Sequence, residues 1–274
     1  MQPRYRYADT PEGQIHLTCC GEGLPVILLH WVPLSGRMYE DELPPLAARG
    51  YRGIAVDLVG FGRSAPRSAP WPADRHARAV EAALADIGVS ACAVLGAHFS
   101  APVGVELAAS GGLDVKALML DGAIAFLPEA AALAIAGKTR DLPQPGLQQD
   151  GAHERYLWRQ AVGALRIFDP AFEVSPATLP VIHRFILDHL STGMPDDFGT
   201  WLPYDMGGQL ARVDCPVHVI SAETDPLRAA FQPTLDAVPG ATGTLLPGAH
   251  PLHKRERAGA YAALIADFLA SALP

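Results

Sequence analysis

Two hydrophobic periods take turns along this chain. Short, continuous apolar runs recur at Pro25–His30 (PVILLH), Gly53–Leu58 (GIAVDL), 91–96 (ACAVLG), 116–121 (KALMLD), 216–222 (PVHVISA) and 242–246. Each is brief and bounded by turn residues, as expected of a strand buried on both faces. Residues 14–20 (QIHLTCC) read as an earlier antiparallel strand. Between the runs lie Ala-rich stretches with apolar residues every third or fourth position, which predict helices through 39–49, 74–87, from Pro102 through VGVELAAS, 228–238 and 254–271. Proline suits the first turn of the helix at 102, where its missing N–H costs nothing. Strand alternating with helix predicts a mostly parallel sheet with right-handed helical crossovers. From 127 to 208 the period breaks down, and prolines, glycines and aromatics interrupt what read as several short helices. The chain therefore divides into an α/β core, 1–126 and 209–274, and an inserted helical cap, 127–208, within one domain.

Composition narrows the function classes. A length of 274 residues with 49% hydrophobic positions supplies one large core. The net charge is −8, and no Lys/Arg cluster or basic stripe accompanies it, so nucleic acid and anionic membrane are not expected partners. The first residues, MQPRYRYADTPEGQ, lack an apolar signal-like stretch, and no later run approaches the roughly 18–20 apolar residues of a membrane span. A soluble, cytoplasmic protein is the expectation. Cys19, Cys20, Cys92 and Cys215 form no C-x-x-C pair and read as buried thiols.

The segment VLGAHFSAPVGVELA joins a buried strand directly to a helix through small residues. Such an elbow pushes its central side chain out over the carboxyl ends of the strands and needs small neighbours two positions either side. Gly96 and Ser100 stand at that spacing around His98. G-x-S-x-G thus reads G-A-H-F-S, with histidine in the nucleophile's place. Here the chain resembles the α/β-hydrolase fold superfamily, from about Gln14 to the C-terminus and most weakly in the cap. LLHWVP stands at the oxyanion loop, DLVGFGRS matches the D-x-x-G-x-G-x-S turn, and SAETDP and GAHPLH match the acid and histidine segments. The resemblance is greatest to bacterial members whose elbow reads G-x-H-T-G. It implies Asp225 as triad acid, His250 as base, and an oxyanion hole from the backbone N–H groups of Phe99 and Trp31. Trp31 replaces the usual glycine of that loop.

A neutral imidazole can attack a carbonyl without prior deprotonation, so His98 is a candidate nucleophile forming an acyl-imidazole that water then cleaves. It is equally a candidate general base acting on water or on a substrate C–H or O–H. Two imidazoles in one pocket repel when both are charged, so one proton shared between His98 and His250 supplies an acid and a base. Ser100, two places past the apex, should face the helix start. Asp121, also at a strand end, is the alternative acid, and His30 reads as a loop-ordering residue. In the cap, Trp158, Trp201 and Tyr204 are candidate substrate-binding residues, with Phe168 and His183 beside them and Arg155, Arg159 or Arg166 available for a carboxylate. His250 and His253 flank Pro251 without a carboxylate or cysteine cluster, and Gly60 and Gly62 lack a third glycine, so neither a metal nor a nucleotide is called for. The expected function is hydrolysis of a small, fairly apolar ester or lactone without a cofactor. Cofactor-independent C–C cleavage, lyase or cyclase chemistry and a catalytically inactive small-molecule binder are the alternatives. The partner is a small-molecule substrate, with a homodimer left open.

Overall fold

The computed structural model describes residues 1–123, 126, 149–191, 203–248 and 257–273. Eight strands form one sheet: β1 (Arg4–Thr10), β2 (Gly13–Cys20), β3 (Pro25–Leu29), β4 (Arg52–Val56), β5 (Ala91–Ala97), β6 (Asp114–Asp121), β7 (Val217–Ala222) and β8 (Thr242–Leu246). Their spatial order is β1-β2-β4-β3-β5-β6-β7-β8. β1 and β2 pair antiparallel, as do β2 and β4, and every later pair is parallel. The apolar runs form strands where the sequence expects them. β1 is an addition: most of its residues are exposed, so its alternation carries no apolar face for a periodicity to reveal.

Alternate side chains of the central strands feed two core layers. Ile27, Leu29, Ile54, Val56, Val94, Leu118, Leu120 and Val219 face a layer containing α2 (Ala73–Asp86) and α3 (Ala101–Ser110). Val26, Leu28, Ala55, Ala93, Leu95, Ala117, Met119 and Ile220 face the opposite layer, built from α1 (Leu43–Ala47) and the C-terminal helix Ala258–Ala272. That period of two, with both faces apolar, is why these strands read as unbroken hydrophobic runs.

The predicted helix 39–49 is instead a 3-10 turn, Gly36–Tyr39, followed by the single turn of α1. Pro44 and Pro45 cannot donate to a preceding turn, so the helix begins with them. The 228–238 helix also splits, into a 3-10 turn at Arg228–Ala230 and a helix at Phe231–Ala237. The broken-period region holds α4 (Ala152–Phe168), α5 (Leu179–Ser191) and the short α6 (Met206–Leu210). α4 has 17 residues, longer than the short helices expected there. α4 and α5 share a small core of Ala161, Val162, Leu165 and Ile182, while Met206 and Leu210 of α6 join the α2 and α3 layer. In chain order the split helix Phe231–Ala237 is α7 and the C-terminal helix α8. Among the described residues no helix is long and apolar enough to cross a membrane.

Candidate functional site

β5 delivers its last residue, Ala97, to a 3-10 turn at His98–Ser100 that leads straight into α3. His98 has φ 51°, left-handed backbone that a non-glycine residue occupies at a cost of about 1–3 kcal/mol. The neighbours hold it there. A Cβ on Gly96 would lie 2.8 Å from the Ser100 carbonyl oxygen and 2.9 Å from the Ala101 Cα, so only glycine lets strand and helix meet this closely. Ser100 Oγ accepts from the Ala97 N–H at 3.1 Å and lies 2.9 Å from the Leu29 carbonyl, to which it donates. Its hydroxyl is fully buried and committed to backbone, facing the helix start as the spacing predicts.

The imidazole meets Asp225, which follows β7. Nε2 of His98 lies 3.0 Å from Oδ2 of Asp225, and the other carboxylate oxygen accepts the Leu227 N–H at 2.7 Å. Both residues are buried. A carboxylate only accepts, so the Nε2 hydrogen belongs to this contact, and in the neutral ring the lone pair is on Nδ1. Trp31 stacks on the same ring, with centroids 4.0 Å apart and planes at 28°. Phe168, the last residue of α4, completes a cluster of three rings at 4.7 Å from Trp31 and 5.3 Å from His98. Gly122, just past β6, touches the pair from beneath at φ 57°.

The sequence pattern links Asp225 to His250; the structure brings Asp225 to His98, the elbow residue itself. His250, His253 and Trp201 lie outside the described residues. Phe99 is buried behind the elbow in the α2 and α3 layer. The Trp31 N–H donates to Met38 Sδ at 3.2 Å, so one of the two expected oxyanion donors is engaged by a weak sulfur acceptor. Trp158 sits ten residues before Phe168 on α4, about 15 Å along the helix, with its ring against His183. The Tyr204 hydroxyl donates to Glu106 Oε1 at 2.8 Å, on α3. The structure thus does not bring Trp158 and Tyr204 to His98; among the described residues of that aromatic group, Phe168 reaches it. Arg155 pairs with Asp150 and Arg166 donates to the Phe172 carbonyl. His30 orders the loop as expected, donating from Nδ1 to the Trp31 carbonyl and accepting the Leu58 N–H at Nε2. Met38 and Gly122 carried no sequence signal beyond a glycine at a strand end. Their roles exist only in three dimensions.

Asp121, the alternative acid, accepts from the Tyr261 hydroxyl at 2.5 Å in a buried cluster behind the elbow. Tyr39 and Glu42 belong to the same region, and the Tyr39 hydroxyl donates to the Leu29 carbonyl. Glu42 is buried, and its Oε2 has no hydrogen-bond partner among the described residues. Burial pushes its carboxyl from an ordinary 4.5 up to about 8, with the charge of Asp41 adding to the shift and Arg184 opposing it. The folded protein therefore holds this proton more tightly than the unfolded chain does. That stabilisation is complete below pH 4.5 and is lost as the pH climbs through about 8, at up to about 1.4 kcal/mol per unit. Glu42→Gln is expected to change stability little near pH 4.5 and to raise it by several kcal/mol near pH 9, up to about 5 for the full interval. Urea unfolding at the two pH values checks this; equal effects at both would mean that Glu42 ionises like an exposed carboxyl.

With the geometry in place, known proteins can be set beside it. The family model described as the α/β-hydrolase fold matches residues 25–150. The sequence is 28% identical over 250 residues to a haloalkane dehalogenase of Mycobacterium marinum, covering 86% of this chain and 81% of that protein. Among solved structures, an enol-lactonase from Burkholderia xenovorans superposes with a TM-score of 0.77 at 20% identity, over 97% of this chain and 100% of the other. A bromoperoxidase from Bacillus anthracis superposes with a TM-score of 0.75 at 20% identity, over 96% and 98% of the two chains. Structural likeness at such identities speaks to the shared fold.

Proposed function

The chain has the α/β-hydrolase fold, and from that premise we propose that it belongs to the superfamily of that name and hydrolyses a small, fairly apolar ester or lactone with His98 as the working base. The observation that carries the reading is the 3.0 Å contact between His98 Nε2 and Asp225 Oδ2. Asp225 holds the Nε2 hydrogen, which leaves Nδ1 free to take a proton from a water as the water oxygen bonds to the acyl carbon. The imidazolium so formed is stabilised by the Asp225 carboxylate, and it returns the proton to the departing alkoxide as the carbon–oxygen bond breaks. The backbone N–H groups of Phe99 and Trp31 would receive the oxyanion, Trp31 after exchanging Met38 Sδ for it. His250 fits this scheme as a second proton carrier, residues 127–208 as the cap, and Phe168 with Trp31 as the apolar wall.

The same Nδ1 could instead attack the acyl carbon, giving an acyl-imidazole, and mass spectrometry separates the two routes. The protein is incubated with a panel of activated esters and lactones, quenched and digested. The base role predicts turnover with no adduct on residue 98, whereas an acyl group on His98 would make it the nucleophile. Undiminished turnover by His98→Ala on every substrate would sink both.

One observation favours a second reading. With the Trp31 N–H engaged by Met38, the described site is better furnished for proton transfer than for oxyanion binding. Cofactor-independent acid/base chemistry on a substrate C–H follows from the same His98 and Asp225 pair. Deuterium incorporation from heavy water into a recovered substrate, lost in His98→Ala, would select it over ester hydrolysis.

A further inference from the structure

Asp188, on α5, is far from the elbow in sequence and is buried at the seam between that helix and the turn after β3. Its carboxylate grips one residue of that turn twice. Oδ2 accepts the Ser35 N–H at 3.1 Å and Oδ1 accepts the Ser35 hydroxyl at 2.8 Å. Ser35 is fully buried, and its Oγ in turn accepts the Arg37 N–H at 3.3 Å, capping the 3-10 turn Gly36–Tyr39. That turn carries Met38, whose sulfur takes the Trp31 N–H, and Trp31 lies flat on the His98 ring.

The same helix is anchored to this segment elsewhere. Arg184, one turn before Asp188, pairs with Asp41 at 2.5 Å and donates to the Arg37 carbonyl at 3.3 Å. Leu34 and Met38 line a small cavity at the seam together with Val181 and Phe185. On the core side, Asp57 Oδ1 accepts the neighbouring Gly36 N–H at 2.7 Å. Two carboxylates, one from the core and one from α5, therefore hold consecutive N–H groups of one turn. Asp57 directly follows β4 and is tied to β2 by its N–H, which donates to the His16 carbonyl at 3.0 Å. Asp188 can move only with α5. Arg37 stands 3.8 Å from Asp188, too far for a normal hydrogen bond.

We propose that Asp188 is a positioning residue of the site: by gripping Ser35 it fixes the turn that seats Trp31 on His98, and so couples the placement of α5 to the orientation of the imidazole. Asp188 touches neither His98 nor its acid partner in this scheme. It acts through four links, Ser35, the 3-10 turn, Met38 and Trp31. The side chains of Ser35, Met38 and Trp31 are buried, so a shift at one end is passed on through packed neighbours.

The test reads the imidazole directly. In a proton–carbon correlation spectrum, the His98 Cε1–H signal is assigned by its disappearance in His98→Gln. Stacking under Trp31 displaces this signal from that of an exposed histidine. Asp188→Ala is expected to move it toward the exposed position while leaving His218, which stacks on Phe268, where it was. Asp188→Asn keeps an acceptor for the Ser35 N–H and is expected to restore most of the wild-type position. Should Asp188→Ala fail to fold, Ser35→Ala, which keeps the N–H contact and loses the hydroxyl one, is expected to give a smaller shift in the same direction. An unmoved His98 signal in folded Asp188→Ala, or in Ser35→Ala where that variant stands in, overturns the proposal, as does an equal displacement of His218, which would mark general loosening. The kinetic arm rests on the hydrolytic reading above: roughly ten-fold loss of kcat/KM in Asp188→Ala, recovered in Asp188→Asn, is the expected size for a slightly misplaced base. Absence of any ester turnover in the wild type would remove that reading and leave the spectroscopic outcome to decide this one.

Discussion

Replacement of His98 by alanine is expected to lower kcat/KM by about three orders of magnitude, within the range that a positioned general base contributes. The substrate is whichever activated ester or lactone the wild-type protein turns over. The loss should fall on kcat, because an imidazole that moves a proton only in the transition state adds little to ground-state binding. Asp225→Asn separates orientation from presence. An asparagine has nearly the shape of the aspartate and can still accept the Nε2 hydrogen, but its neutral amide does not stabilise the imidazolium, and its NH2 group can turn to favour the other tautomer. A kcat loss of about a hundred-fold or more with KM nearly unchanged is the expected result. Stopped assays on both variants, with circular dichroism confirming the fold, check it. Equal activity of wild type and Asp225→Asn would mean that the 3.0 Å contact plays no part in the chemistry.

Gly122→Ala is expected to do comparable damage from a residue that carries no reacting group. A Cβ there would lie 2.4 Å from His98 Nε2 and 2.8 Å from Asp225 Oδ2, wedged against the two atoms that must meet. Neither is the end of a flexible side chain, since the imidazole is held by Trp31 and Phe168 and the carboxylate by the Leu227 N–H. The pair must open, and activity should fall about a hundred-fold, the size that follows from displacing a catalytic group by an ångström. At φ 57° the alanine adds about 1–2 kcal/mol of backbone strain. Gly88→Ala is the control. It has φ 74° and nothing within 4 Å of an added Cβ, so it bears the strain without the clash. Thermal unfolding should show the backbone strain alone in Gly88→Ala and that strain plus the cost of the clash in Gly122→Ala, with Gly122→Ala alone losing turnover. Matched activity in both would place the His98 and Asp225 pair out of reach of this glycine.

The particular residues show where the sequence was legible. Strands β3 to β7 are runs of residues buried on both faces, and nothing but a parallel sheet between helical layers accommodates them; β1 escaped because its side chains are mostly exposed. The 39–49 helix shortened because two prolines define its start, a signal present in the sequence but overridden there by apolar spacing. His98 was legible as the elbow residue because Gly96 and Ser100 are needed by the turn itself, within three residues of chain. Asp225 was named through the resemblance of SAETDP to the superfamily's acid segment.

What each of these groups touches was not legible. His98 and Asp225 meet across 127 positions of sequence, and Ser35 and Asp188 across 153. Such contacts depend on how strands are ordered in the sheet and how α4 and α5 settle against it, which no local period encodes. The sequence by itself determined the layers and an elbow with histidine at its apex, because these follow from burial and backbone sterics along short stretches. Only the tertiary structure decided that Asp225 meets the elbow histidine directly, that Trp31 lies on the ring with its N–H on Met38, and that Gly122 leaves room for the pair. Side-chain partnership is settled by distance in space, at the resolution of an ångström.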